Sequence, residues 1–215
     1  MAEVVPLLLS FPFTGRWMAQ NSPADRVPSH GTHLFGTTFA IDFVAVDGRD
    51  RTAPRGWRSA FGTEAPELFV GFGAEVLAPV DGEVVVVHDR EDDHVARRSP
   101  VALVSYAMTQ RTRVRDGAGA IAGNHVIIAV APDGPFVLIA HLRRGSLTVR
   151  PGEAVHIGEL LGECGNSGNS TEPHVHLQAT DAVDQRSARG MPIGFRSRDG
   201  GEGWLPRNGE PFTVP

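Results

Sequence analysis

Two histidines sit two apart in the stretch PHVHLQ, His174 and His176. In an extended strand both side chains point to the same face, because the side-chain period is two. Two imidazoles on one face suit a metal ligand beside a group that works on a water. They equally suit a solvated pair on an outer face. Asp42 is the second candidate. It interrupts the apolar run FAIDFVAV, where Ala40, Asp42 and Val44 share one face and Ile41, Phe43 and Ala45 the other. Both faces are apolar apart from Asp42, and a buried carboxylate is costly unless it is paired, hydrogen-bonded or bound to metal. His141 is the third, at the end of FVLIAHL before the basic turn RRGS, placed either to reach over a site rim or to cap a strand. His30 and His33 lie in the loop preceding Asp42. Of the remaining histidines, His125 reads as structural, and His88, His94 and His156 as solvated.

Taken together, a loop histidine, Asp42 and His176 form a His₂-Asp set with one open coordination position, the pattern of a catalytic zinc. His141 and His174 are then left near the open position without being ligands.

The surrounding chain must hold these residues on strands. Gly (25) and Pro (16) are abundant in the 215 residues, which argues against a helical bundle and for short strands joined by turns. Residues 1–20 read as an edge strand anchored by Trp17, 21–38 as a long polar loop, 39–46 as a strand, and 47–69 as another loop. The Asp-Gly in GAEVLAPVDGEVVVVHD predicts a hairpin, and so does Pro-Asp-Gly-Pro in NHVIIAVAPDGPFVLIAHL. Ser99 and Pro100 look like a helix start, and Val101, Val104 and Met108 recur at helical spacing, predicting one short helix at 99–112. PHVHLQAT reads as the last strand. FGAEVLAPVDGEVV and PGEAVHIGELLGEC echo one another, which suggests a duplicated all-β unit.

Composition removes several functions. The 20 positive residues are all arginine, so Schiff-base enzymes, the phosphate-binding P-loop and lipoyl or biotinyl carriers are excluded. A net charge of −5 argues against nucleic acid as a partner. Cys164 is the only cysteine, so there is no intrachain disulfide and no multi-cysteine zinc site. No apolar run is long enough for a membrane span. The N-terminal run Val4 to Phe13 carries Glu3 before it and is broken by Pro6 and Pro12. It reads as a mature strand and not a secretory signal, which implies a cytoplasmic chain unless it is exported by another route.

An ordered series of motifs resembles the lysostaphin/LytM-type zinc endopeptidases, the glycyl-glycine endopeptidase-like group. The series is Gly123-Asn124, Ala140-His141-Leu142, Val149-Arg150-Pro151-Gly152, Leu161-Gly162, Gly165-Asn166-Ser167-Gly168 and His174-Val175-His176, with AIDF and EVLAPVDGEVV upstream. It covers roughly residues 38–180, with an insertion at about 90–120. The resemblance implies an all-β fold: an antiparallel β-sheet core of the barrel-sandwich hybrid or duplicated hybrid motif type. It implies a single peptidase-like domain over 1–215, with an N-terminal strand and loop at 1–37 and an irregular tail at 183–215. One Zn²⁺ per chain would be held by an early histidine, Asp42 and His176. The compact family pattern puts that early histidine four residues before the aspartate, where this chain has Thr38. The ligand therefore comes from further back, as His30 or His33. Ser29-His30-Gly31-Thr32 resembles long-loop relatives, and Gly31 allows a sharp turn that aims an imidazole back, so His30 is favoured. His33 precedes Leu34-Phe35, an apolar pair expected to pack down and steer it outward.

The resemblance thus implies a zinc metallopeptidase acting on a peptide or peptidoglycan substrate, at cross-bridges or stem peptides. His174 is the expected general base, and His141 the group that holds the water or the oxyanion. The rival reading is a non-catalytic, peptide- or peptidoglycan-binding or regulatory member of the same fold. The retained histidines favour the enzyme.

Overall fold

The computed structural model describes residues 5–56, 59, 62–99, 121–196 and 203–215. Its strands, in chain order, are β1 (Leu7–Leu9), β2 (Gly15–Gln20), β3 (Ile41–Ala45), β4 (Glu75–Leu77), β5 (Gly82–His88), β6 (Asn124–Ala129), β7 (Phe136–Leu142), β8 (Ala154–Val155), β9 (Leu160–Glu163), β10 (Val175–Thr180), β11 (Gly190–Met191), β12 (Ile193–Phe195) and β13 (Pro211–Val214). Two short 3-10 segments, Leu34–Phe39 and Pro66–Leu68, lie between strands. The chain is all-β there, as expected. The helix expected at 99–112 lies outside the described residues, apart from Ser99. No helix among them is long and apolar enough to cross a membrane.

Nine strands form one antiparallel sheet in the order β13-β2-β3-β10-β7-β6-β5-β8, with β11 also paired to β10. β4 and β9 form a separate antiparallel pair, and β1 and β12 a parallel one. Alternation divides the large sheet into two faces. Ile41, Phe43 and Ala45 of β3, Val175, Leu177 and Ala179 of β10, and Val137 and Ile139 of β7 all point into one core, where Val76 and Leu161 of the β4–β9 pair cover them. Each fully buried Val, Leu, Ile or Phe among them contributes about 1.5–3 kcal/mol. The opposite face of β3 and β10 carries Asp42, His176, Gln178 and Thr180, all buried and all polar.

The N-terminal segment closes one end of this core. Leu9, Phe13 and Trp17 are buried in it, and Phe11 stacks on Phe195 with ring centroids 4.3 Å apart. Trp17 does anchor β2, but β2 is not an edge, because β13 pairs alongside it. The tail, expected to be irregular, thus supplies three short strands, and β10 is not the last. The reason is visible only in three dimensions: short apolar pieces such as Ile193 and Phe195 find burial against β1, which lies at the far end of the chain.

The Pro-Asp-Gly-Pro hairpin forms, joining β6 to β7. The Asp-Gly hairpin does not. β4 and β5 part after Leu77, β4 pairing with β9 and β5 with β6 and β8. Gly82 serves close approach instead of a tight turn: a Cβ there would lie only 2.3 Å from the Ala129 carbonyl oxygen. The two echoing segments interlock, the first strand of each pairing with the second strand of the other (β4 with β9, β8 with β5). Gly82→Ala is expected to cost about 1–3 kcal/mol through overpacking. Gly48→Ala, where a Cβ meets nothing within 4 Å, should change stability by less than about 0.5 kcal/mol. Urea midpoints of the two variants provide the comparison, and equal midpoints would contradict the close β5–β6 approach.

Candidate functional site

Register builds the site. His176 pairs across the sheet with Asp42 on one side and Ala140 on the other, and Gln20 lies opposite Asp42 on β2. The Asp42 carboxylate is buried, and what faces it is chiefly imidazole. His176 Nδ1 is 2.8 Å from Oδ1, His30 Nε2 is 3.1 Å from Oδ2, and His174 Nε2 is 3.7 Å from Oδ1. Asn21, with a left-handed φ of 48° just after β2, donates its amide to Oδ2 at 2.8 Å.

Hydrogen bonds on the far side of each ring fix which nitrogen carries the proton. The Ser29 hydroxyl donates to the Thr37 carbonyl, so its oxygen accepts from His30 Nδ1 at 3.0 Å. The Gln178 amide nitrogen donates to the Phe35 carbonyl and to Gln185 Oε1, so Gln178 Oε1 accepts from His176 Nε2 at 2.9 Å. In the neutral rings, His30 Nε2 and His176 Nδ1 therefore present lone pairs to a carboxylate. Lone pairs so placed need a positive charge among them, supplied by an added proton or by a bound cation. One ligand atom from each of His30, Asp42 and His176 falls within 4.8 Å of the others. Two nitrogens and a carboxylate oxygen are donors that zinc accepts, and tetrahedral ligands about 2.0 Å from zinc lie about 3.3 Å apart. The donor set fits the metal.

His141 and His174 stand beside this triad. Their rings are 4.6 Å apart, and His141 is 5.7 Å from His176. His141 Nδ1 donates to the Ser167 carbonyl at 2.9 Å, and His174 Nδ1 to the Glu172 carbonyl at 2.8 Å, next to Ser170 Oγ at 3.0 Å. Each neutral ring therefore keeps Nε2 as an acceptor. His141 reaches this face through its backbone. Ile139 and Leu142 enter the core, while Ala140 and His141 both line the site. Two consecutive residues on one face break strand alternation, and the left-handed φ of 63° at His141 makes the break.

The loop histidines separate cleanly. Gly31 has φ of 73° and donates its backbone amide to the Pro28 carbonyl, closing the turn that returns His30 to Asp42. His33 is exposed and meets Thr38 Oγ1. The expected cause was only half right: Phe35 lines the cavity, but Leu34 is 59% exposed. His125 is buried and stacks on His88, and His156 is exposed. His94, expected in solvent, is half-buried and bonds the Gly168 carbonyl. Sequence reading missed Asn21, Ser29, Gln178 and Gln185. A usable signal existed for Gln178, since the alternation in HVHLQAT puts it on the same face as both histidines.

Burial and neighbours set the charges. Burial pushes Asp42 upward, but His30 and His174 nearby and hydrogen bonds from His176 and His30 outweigh it and hold the carboxyl well below its usual range. Burial works against a charged His176, yet the bonded Asp42 carboxylate raises its value. Burial, with His174 and His176 adjacent, drives His141 well below the ordinary value. These groups line a cavity of about 230 Å³ whose apolar wall includes Leu138, Ala140, Ile121 and Phe35.

The model of Peptidase family M23 matches residues 64–188, more than half of the chain. The chain belongs to peptidase family M23. The match includes His141, His174 and His176 and begins after His30 and Asp42, so the place of those two rests on the geometry above. Among solved structures, this M23 chain is similar to the catalytic domain of a mutant prophage-encoded M23 protein from Enterococcus faecalis, at 18% identity over 71% of this chain and 73% of that one, with a TM-score of 0.40. It is similar to the catalytic domain of lysostaphin from Staphylococcus simulans, at 16% identity over 88% and 86%, with a TM-score of 0.40. It is also similar to a zinc-containing peptidase from Vibrio cholerae, at 18% identity over 70% and 48%, with a TM-score of 0.34.

Stability of the metal-free protein should show opposite linkages on either side of the ordinary imidazole value of 6.5. His176 has a raised folded-state value, so the stability it contributes is complete below 6.5 and is lost as pH rises through that folded value. His141 has a lowered one, so its contribution is complete above 6.5 and is lost as pH falls toward that value. Asp42→Asn removes the charge that raises His176 and should flatten the alkaline-side loss. Urea midpoints of chelator-treated protein from about pH 5 to about pH 9 test this. An unchanged alkaline slope in Asp42→Asn would contradict it.

Proposed function

We propose that this M23 chain is a zinc-dependent endopeptidase that hydrolyses peptide bonds in peptidoglycan cross-bridges or stem peptides. The observation that carries the reading is the convergence of His30 Nε2, the Asp42 carboxylate and His176 Nδ1 beside two further imidazoles whose Nε2 atoms are acceptors. His30, Asp42 and His176 would hold the ion. Zinc, when bound, supplies Lewis acidity toward a peptide carbonyl and toward water.

The chain's own residues handle the proton. His174, its Nδ1–H tied to the Glu172 carbonyl, has Nε2 ready to take a proton from an attacking water and to return it to the leaving amine. His141 is kept neutral by burial, so its Nε2 accepts a hydrogen and orients the water. It can donate to an oxyanion only after taking up a proton. The apolar wall of Leu138, Ala140 and Ile121 restricts water around the reacting bond. Membership of a peptidase family supports peptide-bond hydrolysis as the reaction.

Purified protein should carry about one zinc per chain, as the three-ligand set requires. Asp42→Ala, His176→Ala and His30→Ala should lose it, and His33→Ala should keep it. Elemental analysis decides, and zinc loss in His33→Ala alone would overturn the His30 assignment. His141→Ala and His174→Ala should retain zinc but lose about 10²–10⁴-fold in chelator-sensitive cleavage of purified peptidoglycan. Full zinc with no cleavage by the unaltered chain would instead favour the non-catalytic binding member.

A further inference from the structure

Gln178 extends the polar face of β10 one step beyond His176, and it is 1% exposed. A buried amide is costly unless its donors and acceptor are used. Here they are all used. Nε2 donates to the Phe35 carbonyl at 2.9 Å and to Gln185 Oε1 at 2.6 Å, and Oε1 accepts from His176 Nε2 at 2.9 Å. Gln185 is itself held, its amide nitrogen donating to the Val183 carbonyl at 3.1 Å. The Phe35 carbonyl belongs to a segment pressed onto β10. Phe35 and Gly36 both have left-handed φ, and a Cβ at Gly36 would lie 2.4 Å from Thr180 Cγ2.

Turning the Gln178 amide over would set its oxygen against the Phe35 carbonyl oxygen and Gln185 Oε1. Its orientation is therefore fixed, and with it the proton on His176. Nε2 must carry the hydrogen, which leaves Nδ1, the atom that faces Asp42, as the metal-binding nitrogen. We infer that Gln178, clamped by Gln185 and the Phe35 carbonyl, is a positioning residue that holds His176 in its Nδ1-ligating tautomer and so sets the affinity of the metal centre. The inference rests on the zinc reading above. It also explains why the 34–39 segment packs so tightly on β10, since its backbone holds the amide that holds the ligand.

Zinc affinity, measured by competition with a chromogenic chelator, tests this. Gln178→Leu should weaken binding about 10–100-fold, the usual cost of losing an outer partner of a metal-bound histidine. Gln178→Glu still accepts the His176 N–H but sets its second oxygen against the Phe35 carbonyl and Gln185 Oε1, so it should recover only part of the loss. Imidazole ¹H–¹⁵N spectra of the zinc-loaded protein should show the His176 Nε2–H hydrogen-bonded and slow to exchange with solvent in the unaltered chain, and exchanging faster in Gln178→Leu. If Gln178→Leu does not fold, Gln185→Leu, which frees the amide to turn, should weaken zinc to a smaller degree with the same spectral change. Unchanged affinity and Nε2–H exchange in the folded variants would overturn the inference. If the unaltered chain binds zinc and His176→Ala loses it while the Gln178 and Gln185 variants behave as wild type, this inference alone fails. An unaltered chain with no affinity for zinc overturns it together with the zinc reading.

Discussion

The structure turns on one buried carboxylate. Asp42 sits in the middle of a sheet, and its close polar partners among the described residues are three imidazoles and an amide. A carboxylate in that setting is tolerable only while positive charge stays close. This requirement explains features scattered along the chain. β10 must lie beside β3 in the register that sets His176 against Asp42. The 21–38 loop must double back so that His30 arrives, and Asn21 must adopt a left-handed backbone so that its amide arrives. Each device is local, but all answer the same electrostatic demand.

Around the carboxylate, the four imidazoles are sorted by what their far nitrogens touch. Backbone carbonyls of Ser167 and Glu172 hold His141 and His174 with Nε2 as acceptor. Side-chain oxygens of Ser29 and Gln178 hold His30 and His176 so that Nε2 and Nδ1, respectively, face Asp42. The proposed division between metal-holding and proton-handling histidines thus follows from hydrogen-bond partners more than from the histidines themselves. The left-handed backbone at His141 costs of order 1 kcal/mol or more. That strain puts a fourth imidazole on a face that regular alternation would deny it.

Much of this was legible in the residues. Asp42 stood out because no charge belongs in FAIDFVAV without a partner, and the His174/His176 spacing declared a shared face. The motif order from Gly123 to His176 pointed to the family. What stayed hidden is what sequence carries poorly. The Asp-Gly before β5 looked like a hairpin turn, yet its glycine is required by a close β5–β6 approach that no local pattern encodes. The tail read as irregular because strands of two to four residues leave almost no periodicity. β13 and β12 become strands only through partners near the other end of the chain. Asn21, Ser29 and Gln185 are common polar residues in polar stretches, and only the fold shows that they bond Asp42, His30 and Gln178, respectively.

The Asp42 carboxylate and two tautomerically fixed imidazoles, from His30 and His176, should together make one metal centre. Anomalous diffraction from zinc-loaded crystals at the zinc absorption edge tests this most directly. The expected result is a single strong peak bounded by His30 Nε2, the Asp42 carboxylate and His176 Nδ1, with His141 and His174 close by but not bonded. A peak bonded to His33, to His141 or to His176 Nε2, or no peak beside Asp42 at all, would contradict it.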